Sequence, residues 1–245
     1  MLAVLLCLLP VDPATAAPEA AGAAEAADAA GVSLFDGTLD RWAEAGYGGQ
    51  GLVEAVPAAE VDGSDVPVLR IGSGDPLTGV MYTGPFDPKS DETDTETATE
   101  TDTETDTERL PRMNYVFTWQ ARRVLGGDFF STVLFPVGDD VCSVVVGGWG
   151  GGVIGLSSLD GMDASENITT NFRLFTNDEW SDFRLTVKPD SVILAIDGED
   201  MFEVDPSEYA VTTRLEMEPL GSMGIASYQS TGELRNLRVT RIAGE

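Results

Sequence analysis

The chain has 245 residues, a length that fits one large domain or two small ones, and it carries 42 acidic against 14 basic residues and no histidine. A surface this acidic repels nucleic-acid phosphates and anionic lipid heads, which disfavours nucleic-acid and membrane-surface partners but leaves neutral sugars and divalent cations compatible. Adaptation to a salty habitat explains the excess of acid equally well. The absence of histidine excludes Ser-His-Asp and Cys-His catalysis as well as His-ligated zinc or iron.

The first residues predict export from the cytoplasm. Residues 1–9 read MLAVLLCLL, an apolar run too short to span a bilayer, and a small-residue stretch follows at 14–17. We therefore predict a signal peptide over residues 1–17 and an Ala-rich flexible tether over 18–31. The mature chain, expected to form a sandwich domain over 32–245, is then secreted, periplasmic or in the cell envelope, without membrane insertion.

A low-complexity run interrupts the domain. Residues 91–108 alternate threonine with acidic residues, so both faces of a strand built from them would be polar and like charges would repel. We therefore predict a disordered acidic insertion over residues 90–109. Strand-like segments flank it at 77–82 and 115–119, which places it in a loop, where added length costs little. Calcium binding by this run is the alternative, and a solvated loop is favoured over it.

Alternating hydrophobicity and Gly or Asp-Gly turns predict many short strands and no long amphipathic helix. The stretch 34–42 is expected to form an entry strand followed by a turn and an anchoring Trp42, and an alternating strand at 234–241 closes the sheet. We expect one all-β domain, a β-sandwich or jelly roll of antiparallel strands. Cys142, in a strand-like run, is expected to be a buried core residue. The other predicted strands are 66–71, 77–82, 113–122, 129–137, 141–148, 152–156, 171–175, 180–188, 192–196, 214–217 and 223–228.

Several short segments, in their order and spacing, carry a family resemblance. They are LFDG at 34–37 with Trp42, WSDFRLTV at 180–187, IDG at 196–198, GSMGIA at 221–226 and LRNLRV at 234–239. This series resembles the 3-keto-disaccharide hydrolase domain family, formerly a domain of unknown function, over nearly all of residues 32–244. The resemblance implies a concanavalin-like β-sandwich, as in lectin and glucanase jelly rolls, and hydrolysis of oxidised disaccharides. The stretch 127–167 also resembles a version of this domain found in secreted proteins of planctomycete-type bacteria.

The candidate site is the Gly-rich stretch around Trp149, together with nearby carboxylates. Residues 147–152 read GGWGGG and are nearly free of side chains apart from Trp149, so the indole face is open to stack on a sugar ring. Packing of Trp149 in the core is the alternative, because large aromatic side chains are usually mostly buried. For an enzyme, we predict that Asp128, Asp160 or Glu166 serves as the acid or base.

Other residues are assigned to substrate contacts or to supporting roles. The predicted substrate-binding residues are Trp149, Asp163, Arg173, Tyr228 and Gln229. The arginines at 122, 123 and 173 are expected to pair with Asp128 or Glu166. The acids at 160, 163 and 166 are spaced so that calcium binding is conceivable, but a capped turn is favoured, and no metal or cofactor is predicted. The Glu-x-Asp-x-x-Glu pattern of glucanases on this jelly roll is absent, which disfavours a retaining glucanase mechanism.

These observations predict a secreted carbohydrate-active β-sandwich. The resemblance alone implies that it hydrolyses 3-keto-glycosides or related sugars. A non-catalytic, lectin-like carbohydrate-binding module is the first alternative, and a structural or interaction domain with no small ligand is the second. The sequence separates these hypotheses poorly, because one fold carries many functions.

Overall fold

The computed structural model of the chain describes residues 31–90 and 109–243. Within these ranges the chain forms fifteen β-strands, joined by short turns and three 3-10 segments. The strands are β1 Val32–Ser33, β2 Trp42–Glu44, β3 Val53–Val56, β4 Val68–Ile71, β5 Leu77–Tyr82, β6 Tyr115–Gly126, β7 Thr132–Val137, β8 Asp140–Gly147, β9 Val153–Ser157, β10 Asn171–Phe172, β11 Ser181–Lys188, β12 Ser191–Ile196, β13 Glu199–Val204, β14 Gly224–Tyr228 and β15 Ser230–Arg241. The 3-10 segments are Ala58–Glu60, Pro206–Glu208 and Leu215–Leu220, and a short turn over Gly148–Gly151 links β8 to β9.

The strands form two antiparallel sheets. Sheet A has the order β13-β12-β11-β6-β15-β4-β3, with β1 paired to β15 as well. Sheet B has the order β10-β9-β8-β7-β14-β5-β2. Strands that are distant in sequence lie side by side, as in β6 with β15 and in β7 with β14, so the sheets are built from long-range pairs. The prediction of an all-β antiparallel sandwich is confirmed.

The core lies between the two sheets and follows from the alternation of side chains along each strand. In β11, Phe183, Leu185 and Val187 point inward and are buried, whereas Arg184 is exposed. The ring of Phe183 stacks on the buried Trp119 of β6, with centroids 5.0 Å apart. Sheet B contributes inward-facing apolar side chains from the opposite side. Together with those of sheet A they form one continuous cluster.

The two ends of the described domain lie side by side in sheet A. Val32 of β1 pairs with Val239 of the closing strand β15. Trp42 is buried, and its indole Nε1–H donates to the carbonyl oxygen of Leu34 at 2.9 Å. The anchoring tryptophan therefore occurs as predicted, whereas the entry strand is Val32–Ser33 and residues 34–37 form no strand. Cys142 is also the buried core residue that was expected, and its burial raises the pKa of the thiol to about 12.

The structure corrects one predicted strand and adds others. Residues 214–217 were expected to form a strand, but Leu215–Leu220 is a 3-10 helix. Met217 and Leu220 are both buried there, because a spacing of three places them on the same side of a 3-10 turn. The strands β2, β3 and β13 were not predicted. The edge strand β13 contains the exposed acids Glu199, Asp200 and Glu203, so its sequence does not alternate between apolar and polar residues.

Some predictions fall outside the described residues. They are the signal peptide over 1–17, nearly all of the tether over 18–31, and the acidic insertion, of which residues 91–108 are not described. Within the described ranges, no helix combines the length and the apolar character that crossing a membrane requires.

Candidate functional site

The outer face of sheet B, which points away from the core, is built from small side chains. Val133 and Val144 point into the core, so their strand neighbours Thr132 and Ser143 point outward. The same alternation places Gly79, Ala226, Gly155 and Ser157 on this outer face. A face of glycine, alanine, serine and threonine has room above it for another segment of chain or for a ligand.

The 3-10 helix Leu215–Leu220 covers part of this face. Met217 and Leu220 pack with Leu77, Leu134 and Ala226 in a second, smaller apolar cluster. The fit is close: a Cβ placed on Gly79 would lie 2.8 Å from a methyl carbon of Leu220. The 3-10 helix is therefore fixed against the sheet, and the face beside it stays open.

The open part of the face is a cavity of about 290 Å³, referred to here as the sheet B cavity. This volume lies near the lower end of the roughly 300–1,000 Å³ that small-molecule sites usually span. Its lining combines apolar, aromatic, hydroxyl and charged side chains. They are Leu77, Asp128, Phe129, Thr132, Ser143, Val145, Trp149, Ser157, Arg214, Glu216, Met217 and Tyr228.

The side of the cavity formed by the sheet carries hydroxyl groups that lack protein partners. The hydroxyl oxygens of Thr132 and Ser157 are buried and have no hydrogen-bond partner within the described part of the chain. Ser143 differs, because its hydroxyl donates to the carbonyl oxygen of Ser157 at 2.7 Å. A buried polar group left unpaired costs about 1–3 kcal/mol, so these two hydroxyls are unfavourable features of the sheet beneath the cavity.

The turn between β8 and β9 carries Trp149 at the rim of the cavity. The indole is 47% exposed, so Trp149 is not a core residue. Its backbone is left-handed, with φ 48° and ψ 53°, and Gly147, Gly150 and Gly151 beside it also have positive φ. A left-handed backbone costs a residue with a side chain roughly 1–2 kcal/mol. The glycines thus allow the tight turn, and the one bulky residue in it is held outward under strain.

Asp128 holds this turn in place. One carboxylate oxygen, Oδ1, accepts the backbone N–H of Phe129 at 2.8 Å, and Oδ2 accepts that of Gly150 at 3.3 Å. The main chain of Asp128 is itself fixed by Ser230, whose hydroxyl oxygen accepts the N–H of Asp128 at 3.0 Å. The structure therefore gives Asp128 a positioning role next to Trp149.

Arg123 supports the same turn from behind. Its buried guanidinium donates to the carbonyl oxygens of Gly151 at 3.4 Å and Phe175 at 2.7 Å, and to the side chain of Asn177 at 2.8 Å. The expected pairing of Arg123 with Asp128 is therefore wrong. The N–H groups of the guanidinium donate instead to the carbonyl oxygens of Gly151 and Phe175, which lie on two loops.

The other two arginines also pair differently from the prediction. Arg122 pairs with the fully buried Glu233 at 2.7 Å, on the outer face of sheet A. Arg173 pairs with Asp197 and donates to the carbonyl oxygen of Ile196 at 3.2 Å. These partners lie on neighbouring strands and turns, a proximity that hydrophobic alternation along a single strand does not reveal.

The opposite wall of the cavity is formed by Arg214 and Glu216. The guanidinium of Arg214 pairs with the Asp163 carboxylate and, at 2.6 Å, with Oε1 of Glu216. Burial lowers the pKa of Arg214, but its bond to Asp163 and the charge of Glu216 outweigh burial and leave the pKa above its usual value. Tyr47 fixes the main chain here, because its hydroxyl donates to the carbonyl oxygen of Glu216 at 2.7 Å.

The structure brings some of the predicted site residues together. Asp128, Trp149 and Tyr228 all line the sheet B cavity. The ring of Tyr228 lies 5.6 Å from that of Phe129, so an aromatic pair flanks the cavity as well. Asp163 is not in the lining, but it contacts the cavity wall through Arg214.

The remaining predicted site residues lie elsewhere. Asp160 accepts the backbone N–H of Ala210 through Oδ1 at 2.8 Å, and Glu166 is exposed on the same turn. Arg173 belongs to the edge beside β12, and Gln229 is exposed between β14 and β15. None of these four side chains lines the cavity. Of the predicted acid–base residues Asp128, Asp160 and Glu166, therefore, only Asp128 does.

The turn at residues 160–167 is organised by Asn167. Its buried side-chain amide donates to the carbonyl oxygens of Leu156 at 2.7 Å and Asp163 at 2.9 Å, and its Oδ1 accepts the N–H of Thr169 at 2.9 Å. The Asn167-Ile168-Thr169 sequon thus holds a structural asparagine. Across residues 31–90 and 109–243, no group of three or more Asp, Glu, Cys or His side chains is arranged to hold a metal ion.

Residues that the sequence did not indicate complete the site. Thr132 and Ser143 read as ordinary strand residues, Ser157 directly follows the predicted strand 152–156, and Arg214 and Glu216 were placed in a strand. The outward polar positions in otherwise apolar strands were the available signal. These outward positions line a cavity only because the 3-10 helix Leu215–Leu220 packs on the outer face and forms a wall beside them.

Comparisons with known proteins give distant similarities. No protein-family model matches the chain, and no curated protein sequence matches it. The chain is similar to a conserved carbohydrate esterase from the Shiga toxin-encoding bacteriophage phi24B, at 12% identity over 87% of this chain and 100% of that chain, with a TM-score of 0.49. It is also similar to the Crh5 transglycosylase in complex with NAG (9% identity, 89% and 86% covered, TM-score 0.48) and to carbohydrate-binding module CBM66 from Bacillus subtilis (8%, 82% and 95%, 0.45). These similarities are too distant to carry a function to this chain.

Proposed function

We propose that the protein binds a saccharide in the sheet B cavity, with a sugar ring stacked on Trp149. The observation that carries the proposal is a half-exposed indole held outward in a strained turn at the rim of a polar cavity. A backbone outlier of this kind persists only where its surroundings enforce it, and such outliers cluster at ligand sites.

The chemistry of the lining supports the proposal. The apolar face of a sugar ring packs against an aromatic side chain, and its hydroxyls need hydrogen-bond partners once they leave water. Tyr228 and Asp128 offer such partners near Trp149, because both line the cavity and neither is fully buried. The small volume suits recognition of one or a few rings.

A second candidate function is hydrolysis, with 3-keto-glycosides as the substrate that the sequence resemblance implies. The observation in its favour is that two carboxylates, Asp128 and Glu216, line the same cavity, since glycoside hydrolysis commonly uses a pair. Each carboxylate is already engaged, Asp128 with two backbone N–H groups and Glu216 with Arg214. We therefore place binding ahead of hydrolysis.

The test of binding compares Trp149→Ala with the wild type on an array of neutral oligosaccharides, followed by calorimetry on those that bind. We expect Trp149→Ala to lower the affinity at least tenfold. Leu174→Ala is the matched control, because Leu174 is exposed and apolar but does not line the cavity. Equal affinities of the wild type and a folded Trp149→Ala protein contradict the proposal.

The same proteins separate binding from hydrolysis. Incubation with a 3-keto-disaccharide, followed by chromatography of the products, detects turnover. Turnover that is lost in both Asp128→Asn and Glu216→Gln supports the hydrolase, whereas Trp149-dependent binding without product supports the binding module. Export is a further part of the proposal, checked by sequencing the N-terminus of protein recovered outside the cytoplasm.

A further inference from the structure

One positively charged side chain lines the cavity, and acidic side chains already pair with it. Arg214 is the only Lys or Arg among the described residues of the lining, and its guanidinium is paired with both Asp163 and Glu216. Two acids, Asp128 and Glu216, face the cavity against this one guanidinium. An anionic ligand would meet two carboxylates and an arginine whose charge Glu216 and Asp163 already balance.

The two ion pairs of Arg214 differ in whether they connect separate segments of the fold. The pair with Asp163 joins two separate segments, the turn at residues 160–167 and the 3-10 helix Leu215–Leu220 that covers the sheet. The pair with Glu216 lies within one segment, because Glu216 is only two residues further along the chain. It ties no elements together, and a partly exposed pair of this kind contributes roughly 0–1 kcal/mol to stability.

We propose that Glu216 is a specificity-determining residue that makes the cavity select uncharged saccharides and reject uronates. This inference rests on the proposed saccharide-binding function. Glu216 occupies the guanidinium that a ligand carboxylate would otherwise use, since arginine is the residue best suited to bind a carboxylate through paired hydrogen bonds. Rejection of the wrong ligand by a built-in repulsive group is a common source of specificity.

The experiment uses a chemically matched pair of ligands. A neutral oligosaccharide that the wild type binds is oxidised selectively at its primary hydroxyls, so that each CH₂OH becomes a carboxylate and the rest of the sugar is unchanged. Calorimetry gives the affinity ratio of the neutral to the oxidised form. We expect the wild type to prefer the neutral form at least tenfold and Glu216→Gln to reduce that preference at least fivefold, by gaining affinity for the oxidised form.

Two further variants control for charge and for the arginine. Glu218→Gln removes the same charge from the same 3-10 helix at an exposed position outside the cavity lining, and it should keep the wild-type preference. Arg214→Gln combined with Glu216→Gln should lose the gained affinity for the oxidised sugar, since the guanidinium nitrogen released from Glu216 is what binds it. Circular dichroism confirms that each variant is folded.

The outcomes separate the two proposals. An unchanged preference in Glu216→Gln, or equal binding of both sugar forms by the wild type, overturns the role of Glu216 and leaves saccharide binding intact. A gain of the same size in Glu218→Gln also overturns it, because general charge then explains the result. Absence of binding to every saccharide, neutral or oxidised, removes both proposals.

Discussion

Replacing Trp149 by glycine should give a more stable protein than replacing it by alanine. Both changes remove the indole, so the difference in stability between the two variants reports the cost of the backbone conformation at residue 149. The left-handed conformation at φ 48° costs alanine roughly 1–2 kcal/mol and glycine almost nothing. The greater freedom of glycine in the unfolded chain offsets about 0.4–1 kcal/mol of this advantage. The net expectation is about 1 kcal/mol in favour of glycine, whereas in an ordinary helix or strand alanine is the more stable by about 0.5–1 kcal/mol.

Urea unfolding measures this difference directly. With a slope of about 1–3 kcal/mol per molar urea, the midpoint of Trp149→Gly should lie roughly 0.3–1 M above that of Trp149→Ala. Gly161→Ala is the control for strain alone, because Gly161 has φ 75° and open space around the position of a Cβ. We expect that change to lower the midpoint by a similar amount.

The opposite order of the two Trp149 variants would refute the reasoning. If Trp149→Ala is as stable as Trp149→Gly while Gly161→Ala is destabilised, the turn does not hold residue 149 in the left-handed conformation in solution. The outward presentation of the indole would then have no structural basis, and the proposed sugar platform would lose its main support.

Three further predictions concern the body of the fold. Glu233→Gln, at a buried carboxylate clamped by two arginines, should lower the free energy of unfolding by about 2–3 kcal/mol in urea, since one arginine is partly exposed; a loss below 1 kcal/mol contradicts the pairing. Because burial raises its pKa to about 12, Cys142 should resist thiol reagents at pH 8 until the protein unfolds, as judged by peptide mass spectrometry; rapid native labelling contradicts this. Hydrogen bonds from Ser64 and Arg235 lower the pKa of Asp62 to about 2, so the stability it contributes is present above pH 4 and lost as the pH falls from about 4 to 2. The melting temperature of Asp62→Asn should fall less steeply across that interval, and identical slopes would contradict the assignment.

The architecture could be predicted because apolar and polar residues alternate along every strand that has one face against the core and the other in water. In β11 and β12, single-residue alternation and the Pro189-Asp190 turn define a hairpin whose register is Lys188 opposite Ser191. The β7 strand, TVLFPV, lies within the predicted strand 129–137, but all six of its residues are buried, so burial does not distinguish its core face from its outer face. Its outer face lies in and beside the sheet B cavity, next to a 3-10 helix that is distant in sequence.

The candidate site was only partly predictable for the same reason. Trp149 could be singled out because five glycines surround it, a local pattern that the sequence displays directly. Arg214 and Glu216 could not, because alternation at 214–217 fits a strand as well as a 3-10 helix, and Pro219 with its missing N–H was the one hint against a strand. Asp160 and Glu166 fit a carboxylate site by spacing, but their turn directs them away from the cavity.

Two departures from local consistency lie at the sheet B cavity. A tryptophan occupies a left-handed position in a run of glycines, and the hydroxyls of Thr132 and Ser157 account for two of the seven buried polar side-chain atoms without partners in the described ranges. By contrast, the fully buried Glu233 on the outer face of sheet A is clamped between Arg70 and Arg122. The strained backbone of Trp149 lies at the rim of the cavity, where a ligand stacked on the half-exposed indole can offset its cost. The cavity is therefore the place where ligand binding should stabilise the protein, and a bound saccharide at 100 times its dissociation constant should add about 2.7 kcal/mol to the free energy of unfolding.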